Sequence, residues 1–121
     1  MDINYFIKKI KAHPNFAKAG MILCHNGVVR QTSREGQEVT GLTIDVDHNR
    51  LEQILAEQKK RPGIIEILIH IFEGKNLNVG DDVMFLVVAG NIRENVLAVL
   101  TDTLNLVKSE VTSKKQFFLK E

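Results

Sequence analysis

Residues 83–95 read VMFLVVAGNIREN, and the fold class turns on where this run divides. Val83 to Ala89 are apolar without a break, rich in branched side chains and too few for an ordinary helix, the marks of a buried strand. Asn91 then stands where an N-cap belongs, and Glu94 three residues later completes a capping-box pattern, so a helix should begin here. Along it Ile92, Val96, Val99, Leu100, Thr103 and Val107 recur at helical spacing, while Leu97, Leu104 and Leu106 widen the apolar arc. An arc so wide predicts burial on more than one side.

Upstream, IIEILIHIF (64–72) is a second strand, and the intervening EGKNLNVGDD segment bears turns and is too long for a tight hairpin. TGLTIDVD (40–47) alternates Leu42, Ile44 and Val46 with polar residues, the period of a half-buried strand. Asp47 can cap a helix with Leu51, Ile54 and Leu55 on one face, which RPG (61–63) stops. GMILCHNGVV (20–29) reads as another buried strand, and RQTSREGQE (30–38) as a polar loop expected to be mobile. Ile3, Phe6, Ile7 and Ile10 mark a first helix that Asp2 can cap; it should end near Pro14, because proline disfavours helix at His13. The order helix, strand, strand, helix, strand, strand, helix predicts an α+β fold, a mostly antiparallel sheet with helices packed on one face. With 121 residues, positions 1–121 should form a single domain.

Composition narrows the function classes. Hydrophobic residues make up 44% and charged residues 26%, the balance of a soluble globular chain. A net charge of +1 offers no general electrostatic reason to bind nucleic acid or an anionic membrane, so any positive site must be local. One cysteine, Cys24, excludes an internal disulfide and suits a reducing cytosol. The N-terminal segment lacks a signal peptide's apolar core, and no apolar run approaches the roughly 20 residues that span a bilayer. A cytoplasmic protein is expected.

The segment KSEVTSKKQFFLKE (108–121) packs four lysines behind the last helix. Cations near a helix C-terminus are favoured by the macrodipole, which would account for Lys108, Lys114 and Lys115 without any function. Alternatively, Thr112 and Ser113 interrupt the helix, and a turn there could bring Lys108 and Lys115 to one pocket mouth. An amine freed of its proton could then act as a nucleophile or proton carrier. Arg30 at a strand end and Arg93 in the first turn of the last helix suit an oxyanion or phosphate, although lone arginines are more often solvated. His13, His25, His48 and His70 show no ligand spacing, the single cysteine cannot build a zinc motif, and each histidine reads as structural. Cys24 and His25 are adjacent, so in a strand they face opposite ways and cannot form a nucleophile–base pair. GDD (80–82) is a turn opening a strand as readily as a magnesium site. No resident metal or cofactor is expected, and no glycine-rich phosphate loop is present.

Three blocks, taken in order, resemble a known family. AGMILCHNGVVR resembles its early strand ending in Gly-x-Val-Arg. GKNLNVGDDVMFLVVAGNIREN resembles its turn, apolar strand and helix start, and LVKSEVTSKK its helix end with two lysines seven residues apart. The family is the large, catalytic subunit of molybdopterin synthase (MoaE-like), and this chain resembles a divergent member. Ile92 stands where the family has histidine before arginine, and TSKKQF where it has a Pro-x-Trp-Lys-Lys-Glu run. The resemblance implies an α/β hammerhead-type fold and a homodimer that becomes a heterotetramer with a small, ubiquitin-like sulfur-carrier subunit. That carrier's Gly-Gly C-terminus, as a thiocarboxylate, would give sulfur to cyclic pyranopterin monophosphate, two transfers building the molybdopterin dithiolene. By the same resemblance Lys108 and Lys115 would be the catalytic amines. Val28, Val29, Arg30, Ile92, Arg93 and Lys114 would contact substrate. The alternative is a non-catalytic pterin- or partner-binding dimeric module on the same scaffold.

Overall fold

The computed structural model of the chain describes residues 1–120. The elements follow as α1 (Ile3–Lys11), β1 (Met21–Val28), β2 (Val39–Val46), α2 (His48–Lys59), β3 (Ile64–Ile71), β4 (Leu77–Asn78), β5 (Asp82–Gly90), α3 (Arg93–Leu106), a π-helical turn (Val107–Val111) and β6 (Thr112–Phe118). They build two antiparallel sheets, in the orders β1-β5-β3 and β4-β2-β6. The α+β class is the one expected.

β5 is central because it is apolar on both faces. Met84, Leu86 and Val88 enter the larger core with Val96 and Val99 of α3 and Ile54 of α2. Phe85, Val87 and Ala89 point the other way, onto Phe6 and Ile10 of α1. α2 and α3 thus share the expected face, while α1 covers the opposite one, since a strand without polar positions needs both faces shielded. Leu86, Val87, Val88, Val96, Ile10 and Ile54 are all fully buried. Each contributes about 1.5–3 kcal/mol relative to exposure.

Capping follows the sequence at two of three helices. Asp2 and Asp47 accept from Tyr5 N and Arg50 N, both at 3.1 Å. At α3 the expectation is corrected: Ile92 occupies the N-cap without a side-chain bond. Asn91 is held one residue early because its N–H donates to Gly63 O at 2.9 Å. Its Oδ1 therefore accepts from Ile92 N and from Asn95 Nδ2. Glu94 reaches Arg93 at 3.7 Å rather than back to the cap.

Three segments differ from expectation. The 30–38 loop is a closed hairpin: Ser33 N donates to Gln37 O, Gly36 N to Ser33 O, and Gln37 N to Ser33 Oγ. Gly36 supplies the positive φ of +87° the turn needs. The long connection before β5 contributes the short β4 against Gly41 and Leu42. The lysine-rich tail is the strand β6, paired along β2 from Val46↔Thr112 to Val39↔Phe118. Without β6 one edge of β2 would leave its backbone groups unpaired. Among the described residues no helix is long and apolar enough to cross a membrane.

Candidate functional site

β1, the 30–38 hairpin, the π turn and β6 converge on a cleft of about 330 Å³. His25 and Val28 line it from β1, Arg34 from the hairpin, Lys108 from the π turn and Lys114 from β6. Val83, Met84 and Ile44 form its apolar floor. A second hollow of about 250 Å³ shares Val28, Arg34 and Lys114 and adds Arg30 and Gln116, so the two make one trough.

Local structure explains each placement. Ile44 pairs with Lys114 across β2 and β6, which puts Lys114 on the core-facing side of the sheet. The π turn ends α3: Ser109 Oγ donates to Asn105 O at 2.9 Å and Thr112 Oγ1 to Val107 O at 3.4 Å. Such turns recur at functional sites because they re-aim side chains, here Lys108. Arg30 donates Nε to Thr32 O at 2.7 Å, which fixes its guanidinium along the trough. β1 pairs Cys24 with Val87 and His25 with Leu86, so their opposite orientation is as expected. His25 faces the cleft and Cys24 is exposed on the other side.

The electrostatics are one-sided. Among the described residues none of Arg30, Arg34, Lys108 and Lys114 forms an ion pair with a carboxylate. No acidic side chain of the described residues lines either hollow. A chain of net charge +1 therefore concentrates unpaired cations on one trough, an arrangement suited to a phosphorylated or carboxylate ligand. His25 is held below the ordinary imidazole pKa, first by burial and then by the charge of Lys108. No cluster of three or more metal-ligating side chains occurs among the described residues. In the GDD turn, Asp81 Oδ2 accepts from Asn78 N and Asp82 Oδ1 from Asn26 Nδ2.

Of the residues singled out in the sequence, Val28, Arg30, Lys108 and Lys114 meet at the trough. Val29 does not. It is 2% exposed in the core, its N–H donates to Asp81 O, and its carbonyl accepts from Gly80 N. Lys115 lies on the outer face of β6, opposite Thr43, with Nζ 5.7 Å from the Phe117 ring centroid. The amine that joins Lys108 is thus Lys114, because a strand turns successive side chains to opposite faces. Ile92 and Arg93 follow the far end of β5, whereas the cleft sits at its start, at Val83 and Met84. Seven strand residues separate the two ends, roughly 20 Å. Two cleft residues have no site role in the sequence reading: His25, read there as structural, and Arg34. His25 lacks any ligand spacing, although its place on the inward face of β1, two residues before Gly27, was a usable signal. Arg34 was hidden in a polar loop whose hairpin geometry is non-local.

Comparison with known proteins adds to this geometry. The MoaE protein family matches residues 1–110. A probable molybdopterin synthase from Haloferax volcanii is 27% identical over 131 residues, covering 98% of this chain and 50% of the relative. The chain spans about half the length of that curated relative. Molybdopterin synthase from Staphylococcus aureus superposes with a TM-score of 0.77 at 20% identity, over 95% of this chain and 85% of that one. Molybdopterin cofactor biosynthesis protein E from Burkholderia multivorans gives 0.76 at 23% identity, over 100% and 86%. A complex of subunits 1 and 2 of the molybdopterin-converting factor from Helicobacter pylori gives 0.72 at 19% identity, over 100% and 86%. At these identities the structural likeness establishes a shared fold.

Proposed function

The chain belongs to the MoaE family, and from that premise we propose that it works in molybdenum cofactor biosynthesis as the catalytic subunit of a molybdopterin synthase. It takes sulfur from the thiocarboxylate end of a small carrier subunit and places it on cyclic pyranopterin monophosphate. The observation that carries this reading is the trough of unpaired cations, Arg30, Arg34, Lys108 and Lys114, beside a half-buried His25. Arg30 and Arg34 suit the substrate phosphate, since a guanidinium offers it paired donors. Lys108 and Lys114 stand over the apolar floor, placed to offset charge on the thiocarboxylate and on the reacting carbons.

The Helicobacter relative, a complex of two subunits, supports a small protein partner. A flexible Gly-Gly tail fits a narrow trough because glycine brings no side chain to exclude. The resemblance assigns the second catalytic amine to Lys115; the cleft geometry favours Lys114. Ile92 and Arg93 could meet a ligand in the trough only from a second copy of the chain, which is the part a homodimer would play. We read residues 1–121 as one functional unit. A cytoplasmic location fits the exposed, unpaired Cys24.

The test is a single-turnover assay with thiocarboxylated carrier and cyclic pyranopterin monophosphate, the product being read as its oxidised fluorescent pterin. Product formation supports the synthase. Carrier and pterin binding without product would instead assign the chain to a non-catalytic binding module.

A further inference from the structure

Among the described residues, His25 is the titratable side chain lining the cleft that carries no fixed positive charge, and its surroundings differ from those of the other histidines. His13 Nδ1 accepts from Asn15 N, and His48 Nε2 bonds Glu73 at 2.7 Å. His70, likewise without a hydrogen bond among the described residues, packs edge-on against Phe72 with ring centroids 4.6 Å apart, on the sheet face opposite the cleft. Neither ring nitrogen of His25 has a protein partner among the described residues, although the ring is half-buried against the cleft. Gly27 keeps the ring edge open, since a β-carbon there would sit 3.4 Å from His25 Nε2. Among the described residues the charged groups facing it are all cationic: Lys108 from the π turn, Lys114 from β6 and Arg34 from the hairpin. β5 and β2 present only Val83, Met84 and Ile44. The nearby Asp82 is bonded to Asn26, whose side chain leaves the other face of β1.

We propose that His25 is the catalytic base of the cleft, taking a proton from the water that releases the carrier from transferred sulfur. The proposal rests on the sulfur-transfer reading above. Once the thiocarboxylate sulfur has displaced an oxygen group from a substrate carbon, that oxygen leaving with the bonding electron pair, it bridges that carbon and the carrier's acyl carbon as a thioester. Sulfur becomes the substrate's own only when the acyl–sulfur bond breaks. Water adds its oxygen to the acyl carbon and gives one proton to His25. The acyl–sulfur bond then breaks, its electron pair leaving with sulfur as a thiolate. The carrier departs as a carboxylic acid that ionises at neutral pH, and the imidazolium returns its proton to solvent. No redox change is involved. A neutral imidazole is required at the outset, and burial together with Lys108 favours that form. The neighbouring ammonium and guanidinium groups stabilise the oxyanion formed as water adds.

The experiment is single-turnover transfer with thiocarboxylated carrier and cyclic pyranopterin monophosphate across pH, on wild type, His25→Gln and His25→Ala, with folding checked by thermal melts. Expected are a wild-type acid limb with its midpoint below the ordinary imidazole pKa and a loss of about a hundredfold or more in His25→Gln. The limb should vanish in the variant, a carrier–pterin thioester should accumulate by mass, and added imidazole should restore His25→Ala. An active wild type alongside a folded His25→Gln with unchanged rate and acid limb would overturn the assignment alone. A wild type that transfers no sulfur would overturn the synthase reading and this proposal with it.

Discussion

Lys114 and Lys115 are adjacent on β6 and project from opposite faces of the sheet. Lys114 lies across from Ile44 and lines the cleft, whereas Lys115 lies across from Thr43 beside the Phe117 ring. A charge-assisted hydrogen bond to an anion is worth about 1.5–3 kcal/mol. Lys114→Ala should therefore weaken binding of cyclic pyranopterin monophosphate by roughly tenfold to a hundredfold, measured by calorimetry. Lys115→Ala, removing an exposed cation–π contact, should change affinity less than threefold or so. Equal losses in the two variants would return the second amine to Lys115.

Gly63 shows how strictly the α2–β3 turn is built. Its φ is +77°, its carbonyl accepts from Asn91 N, and a β-carbon there would collide with the side chains of Asn91 and Asn95. Alanine at a positive φ costs more than about 1 kcal/mol even without a collision. Gly63→Ala should lower the melting temperature by several degrees, with the loss centred on the start of α3, where amide exchange would accelerate first.

Much of this arrangement was legible in local pattern. The β5 run, the caps at Asp2 and Asp47, and the stripes of α1 and α2 each depend on residues a few positions apart, so one window carries them. β6 escaped because TSKKQFF has no alternation of its own; it becomes a strand only by pairing with β2, some 70 residues away. The same non-locality hid the cleft. His25, Arg34, Lys108 and Lys114 come from four separate segments, and only the folded chain brings their charges together. The two-sided burial of β5 was implicit in its unbroken apolar run, and α1 is what the second face required.

His25 makes stability depend on pH in a defined direction. Its folded pKa lies below the unfolded value, chiefly through burial, so the unfolded chain binds more protons between the two. This group's contribution is fully present above about pH 6.5, the unfolded imidazole value, and is lost as pH falls through the folded pKa. Denaturant unfolding of wild type and His25→Gln should show the difference between them shifting against wild type as pH drops below about 6.5. Bound inorganic phosphate should raise the His25 pKa, as read by NMR titration, because an anion in the cleft stabilises the imidazolium. A flat difference between the proteins from pH 7.5 to 5 would contradict the assignment.

Thr103 is completely buried in α3, and its Oγ1 has no hydrogen-bond partner among the described residues. A desolvated hydroxyl without a partner costs about 1–3 kcal/mol. Thr103→Val replaces it with a methyl group of similar size among the apolar side chains of the larger core. The variant should be as stable as wild type or more stable by about 1 kcal/mol, read from the urea midpoint at constant m-value. A loss above about 1 kcal/mol would mean the hydroxyl finds a partner, such as a buried water.

Ser33 ties the hairpin to the cleft. It is only 4% exposed, its Oγ accepts from Gln37 N at 3.1 Å, and its backbone pairs with Gln37 and Gly36. The next residue is Arg34, whose side chain lines both hollows of the trough. Ser33→Ala removes the side-chain acceptor but keeps the backbone bonds, so it should cost about 1 kcal/mol of stability. The larger effect should fall on the ligand. With Gln37 N–H unpaired, the turn samples more conformations and Arg34 is less often over the cleft, which reduces affinity by the fraction of time it is displaced. Binding of cyclic pyranopterin monophosphate should weaken several-fold in Ser33→Ala and at least as much in Arg34→Ala. The double variant should be no worse than Arg34→Ala alone, since the hairpin matters to the ligand only through that arginine. Additive losses would show that the hairpin backbone also contacts the ligand.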